Sequence, residues 1–420
     1  MKIGIFGNIN NYPYTLALGL RRIGVDAVLV VNRKERLHRP EAKDPSLAAS
    51  YPQWILDCSD LDEDAFVTES PRIGAVLNYL SHQASGLILN DLGPSLLEAA
   101  GIPGISLLTG SDLSYYASYD SDEIRSSVWD PAFAASAGGR LGRRKWREFI
   151  TRQRNGILRS RAVSFAVPGL MQEGDALLRE IGVPDECRLS VYLADTVDLA
   201  PVAPRLRERL RLFNGARLNW KKPFPAGFSA QDDKRTDILL EGFAGFLHAG
   251  GRGTLVLVQK GLHVAETKEL AKSLGIAANI EWQEEMTLAA FYEQVREADV
   301  VCDQLGPSFP GMAGLDAMAI GRPVIANFRL DVLGPCFGAP WPVCHVESVR
   351  DVRDALLKLQ RSPEKRASLG SEARAFAERH LSPEVNAARC LEKLELRSRS
   401  FRPGMLESVV TWTGLRKGVS

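Results

Sequence analysis

The segment Ala298 to Phe328, ADVVCDQLGPSFPGMAGLDAMAIGRPVIANF, constrains this chain more than any other stretch. An apolar run of strand type, Val300-Val301-Cys302, ends on Asp303-Gln304, and a Gly/Pro-rich loop from Gly306 to Gly314 follows. Good helix formers run from Leu315 to Ile320, Gly321 stops them, and Val324-Ile325-Ala326 starts a second apolar run after Arg322-Pro323. Strand, loop, helix and strand in this order form the unit of a parallel sheet, because parallel neighbours need a crossover between them. The loop falls where the carboxyl end of a strand meets the amino end of a helix. Open α/β sheets bind ligands there, since amide N–H groups without helical partners and the helix dipole both favour an anion.

A chain of 420 residues exceeds one core and predicts two domains, and 45 % hydrophobic with 25 % charged residues is ordinary for a globular enzyme. With 52 Lys+Arg against 51 Asp+Glu, no global field steers it to nucleic acid, so an electrostatic partner must act through a local cluster. The cysteines Cys58, Cys187, Cys302, Cys336, Cys344 and Cys390 are scattered without a CxxC pair, which predicts reduced thiols and a cytoplasmic compartment. The start, MKIGIFGNINN, reads as a first buried strand and is too short an apolar run for a signal peptide. No uninterrupted apolar segment reaches the roughly 18 residues of a membrane span.

In chain order, Lys2 to Phe6 predicts a strand, Tyr14 to Ile23 a helix and Val25 to Val31 a second strand. The intervening Gly7-Asn8-Ile9-Asn10-Asn11 occupies a crevice position, and without GxGxxG no dinucleotide is indicated. The next strands are expected at Ala75-Val76-Leu77 and Ile105 to Leu108, with a helix over Leu87 to Ala100 between them. Thr109-Gly110-Ser111-Asp112 follows, and its carboxylate either faces the same cleft or caps the next helix. Asp112 is the candidate for a catalytic group on the acceptor side, and Ser111, Asn10 and Asn11 are the candidates for the acceptor-side wall.

From Arg140 to Arg161 nine cations (Arg140, Arg143, Arg144, Lys145, Arg147, Arg152, Arg154, Arg159, Arg161) face the single acid Glu148. Trp146, Phe149, Ile150 and Ile157 are interleaved at near-helical spacing. Such a helix either lies on anionic lipid headgroups or is an outer helix whose apolar residues pack inward. Polar, proline-spaced sequence around Asp198, Pro201 and Pro204 marks a linker. Residues 1–198 are expected as the amino-terminal domain, 199–395 as the carboxy-terminal one, and 396–420 as a tail, with the last helix, from Pro383, able to reach back across the linker. Strand signals at Leu212-Phe213, Thr254 to Val258 and Asn279 to Trp282 alternate with helices at Ile238 to Leu247, Ala265 to Leu274 and Thr287 to Val295, which implies a second parallel sheet. Helices are expected again at Val349 to Leu359 and Pro363 to His380.

Arg217, Lys234, the run KRTDILLEGFAGFL and EADVVCDQLGPSFPGMAGLDAMAIGRPVIA together resemble the donor-binding half of family 4 (group 1) glycosyltransferases with the two-domain GT-B fold. The resemblance covers roughly residues 210 to 395, and the amino-terminal half only in its Rossmann-like outline. It implies two Rossmann-like α/β domains facing each other across a cleft, and transfer of a sugar from a nucleoside-diphosphate sugar with retention of configuration. The acceptor implied is a surface glycan, a lipid-linked oligosaccharide or another glycoside, made at the cytoplasmic side, peripherally on the membrane if residues 140–161 bind anionic lipid.

The departing diphosphate gains charge in the transition state, so fixed cations and oriented N–H groups there accelerate the reaction. By the resemblance Arg217 and Lys234 take that role, as fork and point charge, without a metal. Gly311, Met312, Ala313 and Gly314 would add backbone donors. Asp316 matches the acid that bonds the nucleotide ribose, as Asp where the family usually has Glu. Ser308, eight residues earlier, stands where the family's other acid contacts the donor sugar, and Gln304 with Asp303 can supply polar contacts instead. Trp282 either walls the base pocket or is a core aromatic. His82, His263 and His345 lie nearest to cleft loops, and none has metal-ligand spacing with another His or a Cys. No cofactor, metal or nucleic-acid partner is expected. A GT-B sugar-nucleotide epimerase and a non-catalytic GT-B binding protein remain as rivals, the second because of Ser308.

Overall fold

The structure, a computed structural model, describes residues 1–395 apart from 204, 206, 226, 227, 229–231 and 307–309. Pro204, Ser308 and the tail 396–420 therefore lie outside the described residues.

Two parallel sheets are present among the described residues. The first comprises β1 (Lys2–Phe6), β2 (Asp26–Val31), β3 (Ile55–Asp57), β4 (Gly86–Leu89), β5 (Gly104–Leu107), β6 (Ala162–Ser164) and β7 (Arg188–Leu189), in the order β3-β2-β1-β4-β5-β6-β7. The central strands are continuous apolar runs, as a sheet covered on both faces requires, and Ile5 sits between Leu29 and Ile88 with all three fully buried. Helix α1 (Tyr12–Arg22) crosses from β1 to β2, α2 (Pro71–Gln83) precedes β4, and the long α3 (Ala137–Arg159) precedes β6.

The second sheet comprises β8 (Leu210–Asn214), β9 (Gly253–Val258), β10 (Ile280–Gln283), β11 (Val300–Cys302), β12 (Val324–Ala326) and β13 (Cys344–His345), in the order β10-β9-β8-β11-β12-β13. Helix α4 (Thr236–His248) links β8 to β9, and α5 (Met312–Ile320) links β11 to β12. In each sheet the winding direction reverses once, between β1 and β4 and between β8 and β11. Crevices open outside the carboxyl ends of the strands at such reversals.

The last described helix, α6 (Pro383–Lys393), packs on α1. Its Ala387, Cys390 and Leu391 join Ile3, Ile5 and Leu16 in one buried cluster, so this helix completes the core around β1. The crossing is close, because a Cβ on Gly19 would lie 2.2 Å from the Pro383 carbonyl oxygen. Tyr192, Phe337, Trp341 and Phe376 belong to a further cluster shared by both halves, with the Tyr192 and Trp341 ring centroids 6.1 Å apart.

Two expectations for the amino-terminal half are corrected. Ala75-Val76-Leu77 lies inside α2, not in a strand: Pro71 opens the helix, and a run of three apolar residues cannot separate strand from helix. Leu87 to Leu89 belong to β4 between β1 and β5, and only the short turns Gly93–Leu96 and Leu97–Ala100 are helical. The short strands β3 and β13 and the helix Leu330–Phe337 had no distinct sequence signal.

Candidate functional site

The reversal between β8 and β11 brings the family-like residues together. Asn214, ending β8, donates from Nδ2 to the Cys302 carbonyl at 3.0 Å and ties the two strand ends. Gly215 comes next, and a Cβ there would lie 2.3 Å from the Phe291 ring. Arg217 stands exposed on this loop. Lys234, just before α4, donates its amide to the Asn219 carbonyl at 2.7 Å and accepts the Leu305 amide at 3.1 Å. Its Nζ donates to Gln304 Oε1 at 2.6 Å, so Gln304 holds the lysine. Burial pushes the Lys234 pKa down and Asp303 opposes that, while Arg217 pushes it further down. Lys260, in the turn after β9, is lowered by burial and again by Arg217. Three cations thus share one electrostatic neighbourhood at a strand-end crevice. Lys260 escaped the sequence analysis because one lysine after a strand belongs to no motif.

Below this cluster Asp303 is 3 % exposed and accepts the Gly311 amide at 2.8 Å. Bonds from the Gln304 and Gly314 amides also reach it, and burial still pushes its pKa up to about 6. The expectation that Gly311 and Gly314 offer their amides to a ligand is corrected accordingly, since Asp303 engages both. The amides of Met312 and Ala313 carry no protein partner among the described residues, and the Met312 side chain is exposed. Asp316, on α5, is 4 % exposed. Burial pushes its pKa up to about 7, opposed by Lys43 from the amino-terminal half and reinforced by Asp195 and Asp303. Lys43 Nζ lies 2.8 Å from Asp195 Oδ2 in the segment leading out of the first sheet. Trp282 stands on the edge strand β10, away from the reversal, with Lys268 Nζ 5.3 Å from its ring centroid.

At the other reversal, β1 and β4 approach so closely that a Cβ on Gly7, which has φ of 89°, would lie 2.4 Å from the Asn90 carbonyl oxygen. Asn11 is buried, and its Nδ2 donates to the carbonyls of Leu37 and Arg39 at 3.0 Å each. Asn10 is exposed, with its amide donating to His38 Nδ1 at 3.0 Å. Asp112 is fully buried, so the expected cleft-facing carboxylate is corrected: it accepts the Thr109 and Gly110 amides at 2.8 Å and Asn90 Nδ2 at 3.0 Å. Its bonds shape the turn before it, burial pushes its pKa up to about 6, and Ser111 beside it is exposed. Arg33 and Asp91 went unnoticed in the sequence. Their bidentate pair, at 2.8 and 2.7 Å, joins the ends of β2 and β4, and Arg33 also donates to the Tyr116 hydroxyl at 2.8 Å. These residues are 58 positions apart, which no local pattern reveals.

The histidines serve local structure. His263 accepts the Trp220 amide at Nδ1, His82 lies near the carboxyl end of α2 with Nδ1 2.7 Å from the Asn78 carbonyl oxygen, and His345 stands 3.1 Å from Glu347. Among the described residues no three His, Cys, Asp or Glu side chains gather as a metal site.

No family model matches the chain, and neither does any curated protein. Solved structures do. HepE from Anabaena, in complex with UDP-glucose, is 15 % identical over 94 % of this chain and 99 % of its own, with a TM-score of 0.59. A glycosyltransferase from Rickettsia africae ESF-5 is 12 % identical over 97 % and 98 % of the two chains, at 0.57. The lipopolysaccharide outer core galactosyltransferase WaaB, in its apo form, is 13 % identical over 94 % and 99 %, at 0.54. With the two parallel sheets these likenesses establish the architecture: the chain has the GT-B fold, two Rossmann-like α/β domains facing each other across a cleft.

Proposed function

We propose that this protein is a retaining glycosyltransferase that moves a sugar from a nucleoside-diphosphate sugar to a glycan or lipid-linked acceptor. The observation that carries this is the convergence of Arg217, Lys234 and Lys260 at the β8/β11 reversal. Three cations at a strand-end crevice suit a diphosphate leaving group and have little use in a scaffold. In this proposal Arg217 and Lys234 hold the phosphates, Gln304 aims Lys234, the Met312 and Ala313 amides add donors, and Asp316 accepts from a ribose hydroxyl. HepE was solved with UDP-glucose, which makes UDP-linked sugars the first donors to test. A thermal-shift screen against UDP-, GDP-, ADP- and CMP-linked sugars tests the proposal. At a hundred times its dissociation constant, the right donor adds about 2.7 kcal/mol. Stabilisation by none of them would leave a non-catalytic GT-B protein.

A peripheral membrane position is also part of the proposal, moved towards the start of the basic stretch. Trp146, Phe149, Ile150 and Ile157 are fully buried, so that apolar face of α3 packs on the core and is not free to insert. In its carboxyl half Arg152, Arg154 and Arg159 pair with Glu69, Glu180 and Glu98. In its amino half Arg143 and Arg147 lie 3.4 and 3.6 Å from Asp122 and Arg144 lies 3.5 Å from Glu148, yet the Arg143, Arg144 and Arg147 side chains remain 42 %, 70 % and 56 % exposed. Val128, Phe133 and Leu141 stand exposed in the same part of the chain, giving apolar and cationic groups together. Each cation near an anionic surface contributes about 1 kcal/mol. Reversing Arg143, Arg144 and Lys145 to Glu should therefore weaken partition onto phosphatidylglycerol vesicles roughly 100-fold or more. Unchanged co-sedimentation would remove the membrane position.

A further inference from the structure

Asp303 has no part in the proposed chemistry, yet the donor loop is built around it. Consecutive side chains of an extended segment point to opposite sides, and the two residues that follow β11 use both. Gln304 reaches Lys234 on one side. On the other, the Asp303 carboxylate lies under the turn that opens α5, with the Gly311 amide 2.8 Å from Oδ2 and a further bond from the Gly314 amide. Both glycines are required by that proximity. A Cβ on Gly311 would lie 2.6 Å from Asp303 Oδ1, and one on Gly314 would lie 2.7 Å from Oδ2. A carboxylate at the amino end of a helix forms charge-assisted bonds to amides and is favoured by the helix dipole.

We infer that Asp303 is a positioning residue: it seats the Gly311–Gly314 turn before any donor arrives, which fixes where the Met312 and Ala313 amides stand. The inference rests on the donor site proposed above. Arg217 and Lys234 are assigned to the phosphates directly, whereas Asp303 acts in this inference through the Gly311 and Gly314 amides that its carboxylate holds.

The test compares the full-length protein with Asp303→Asn, using UDP-glucose as probe. An Asn side chain has one acceptor oxygen, and its NH2 would confront an amide N–H, so the turn should loosen. Hydrogen exchange across residues 310–316 should accelerate at least tenfold and the UDP-glucose dissociation constant should rise at least tenfold, with exchange in α1 and α4 unchanged. In glycine-labelled protein the Gly311 amide proton, held downfield by the carboxylate, should move upfield. A variant that binds, exchanges and resonates like wild type would overturn the inference. Should Asp303→Asn fail to fold, the wild type alone decides. Protection of 310–316 without ligand is expected, and protection that appears only after UDP-glucose would overturn the pre-seated turn. Should wild type bind no nucleotide sugar, the donor proposal fails while the exchange and resonance measurements still judge Asp303.

Discussion

Replacing Lys234 with alanine should lower kcat/KM by about 10²–10³ and remove the thermal stabilisation that the donor gives, while the ligand-free protein keeps its melting temperature. The first part follows from where charge develops. Loss of one preorganised donor to a departing anion costs about 3–4 kcal/mol in a water-poor site. Lys234 Nζ is aimed by Gln304 Oε1 at 2.6 Å, and the backbone on both sides is fixed, so little reorganisation is needed when the diphosphate leaves. The second part follows from the unliganded charge balance. Burial and Arg217 both work against the ammonium, so removing it relieves a cost and offsets the lost bond to Gln304. A merely structural lysine would behave in the opposite way, lowering the melting temperature and leaving the donor-induced increment intact. Lys234→Arg should recover only part of the activity, since a planar fork does not reproduce a compact point charge. Donor stabilisation that survives in Lys234→Ala would sink the assignment of this residue.

The carboxy-terminal half was legible in the sequence because its signals are local. Strand runs such as Val300-Val301-Cys302 are short but bounded by Gly, Pro and Asp, and the helices between them are long enough to show period. In the amino-terminal half the same rules misassigned Ala75 to Leu77 and hid β4, because a short apolar run carries no period and Leu87 to Leu89 merge with the helical pattern downstream. At the site, residue types were legible and their partners were not. The glycines at 311 and 314 announced a close approach, and only the fold shows that Asp303 is what approaches. Lys260 and the Arg33–Asp91 pair owe their positions to strand order, which sets β9 beside β8 and places β2 and β4 on the two sides of β1, so that Arg33 reaches Asp91 across the end of β1. The charge run left two readings open, and burial favours the outer helix: α3 packs Trp146, Phe149, Ile150 and Ile157 into the core, and acids scattered along the chain from Glu69 to Glu180 pair with its second half.

Asp316→Asn should stabilise the ligand-free protein at pH 8 by on the order of 2–4 kcal/mol and flatten its dependence on pH. In the folded protein the Asp316 carboxyl titrates at about 7, against 3.8 for an ordinary aspartate, because burial disfavours the charged form. A carboxyl whose pKa is raised by folding binds more protons folded than unfolded between those values. Its favourable contribution is present below about pH 4 and is lost as pH rises through 7. Asp303 and Asp112, each at about 6, act with the same sign over a lower window. Denaturant unfolding should therefore show a protein more stable at pH 5.5 than at pH 8, with the largest part of that difference missing in Asp316→Asn. Equal pH dependence in the variant would count against Asp316 as its source. The cost is retained for function if the ionised form accepts a ribose hydroxyl. Donor binding would then draw the carboxyl towards ionisation and release up to about half a proton per site at pH 7, measurable by calorimetry in buffers of different ionisation enthalpy. Release that vanishes in Asp316→Asn, together with weaker donor binding, would tie the buried charge to the ribose. Release that persists would move the titrating group to Asp303 under the glycine turn, and Asp316 would then be a charge the fold tolerates for the sake of Lys43.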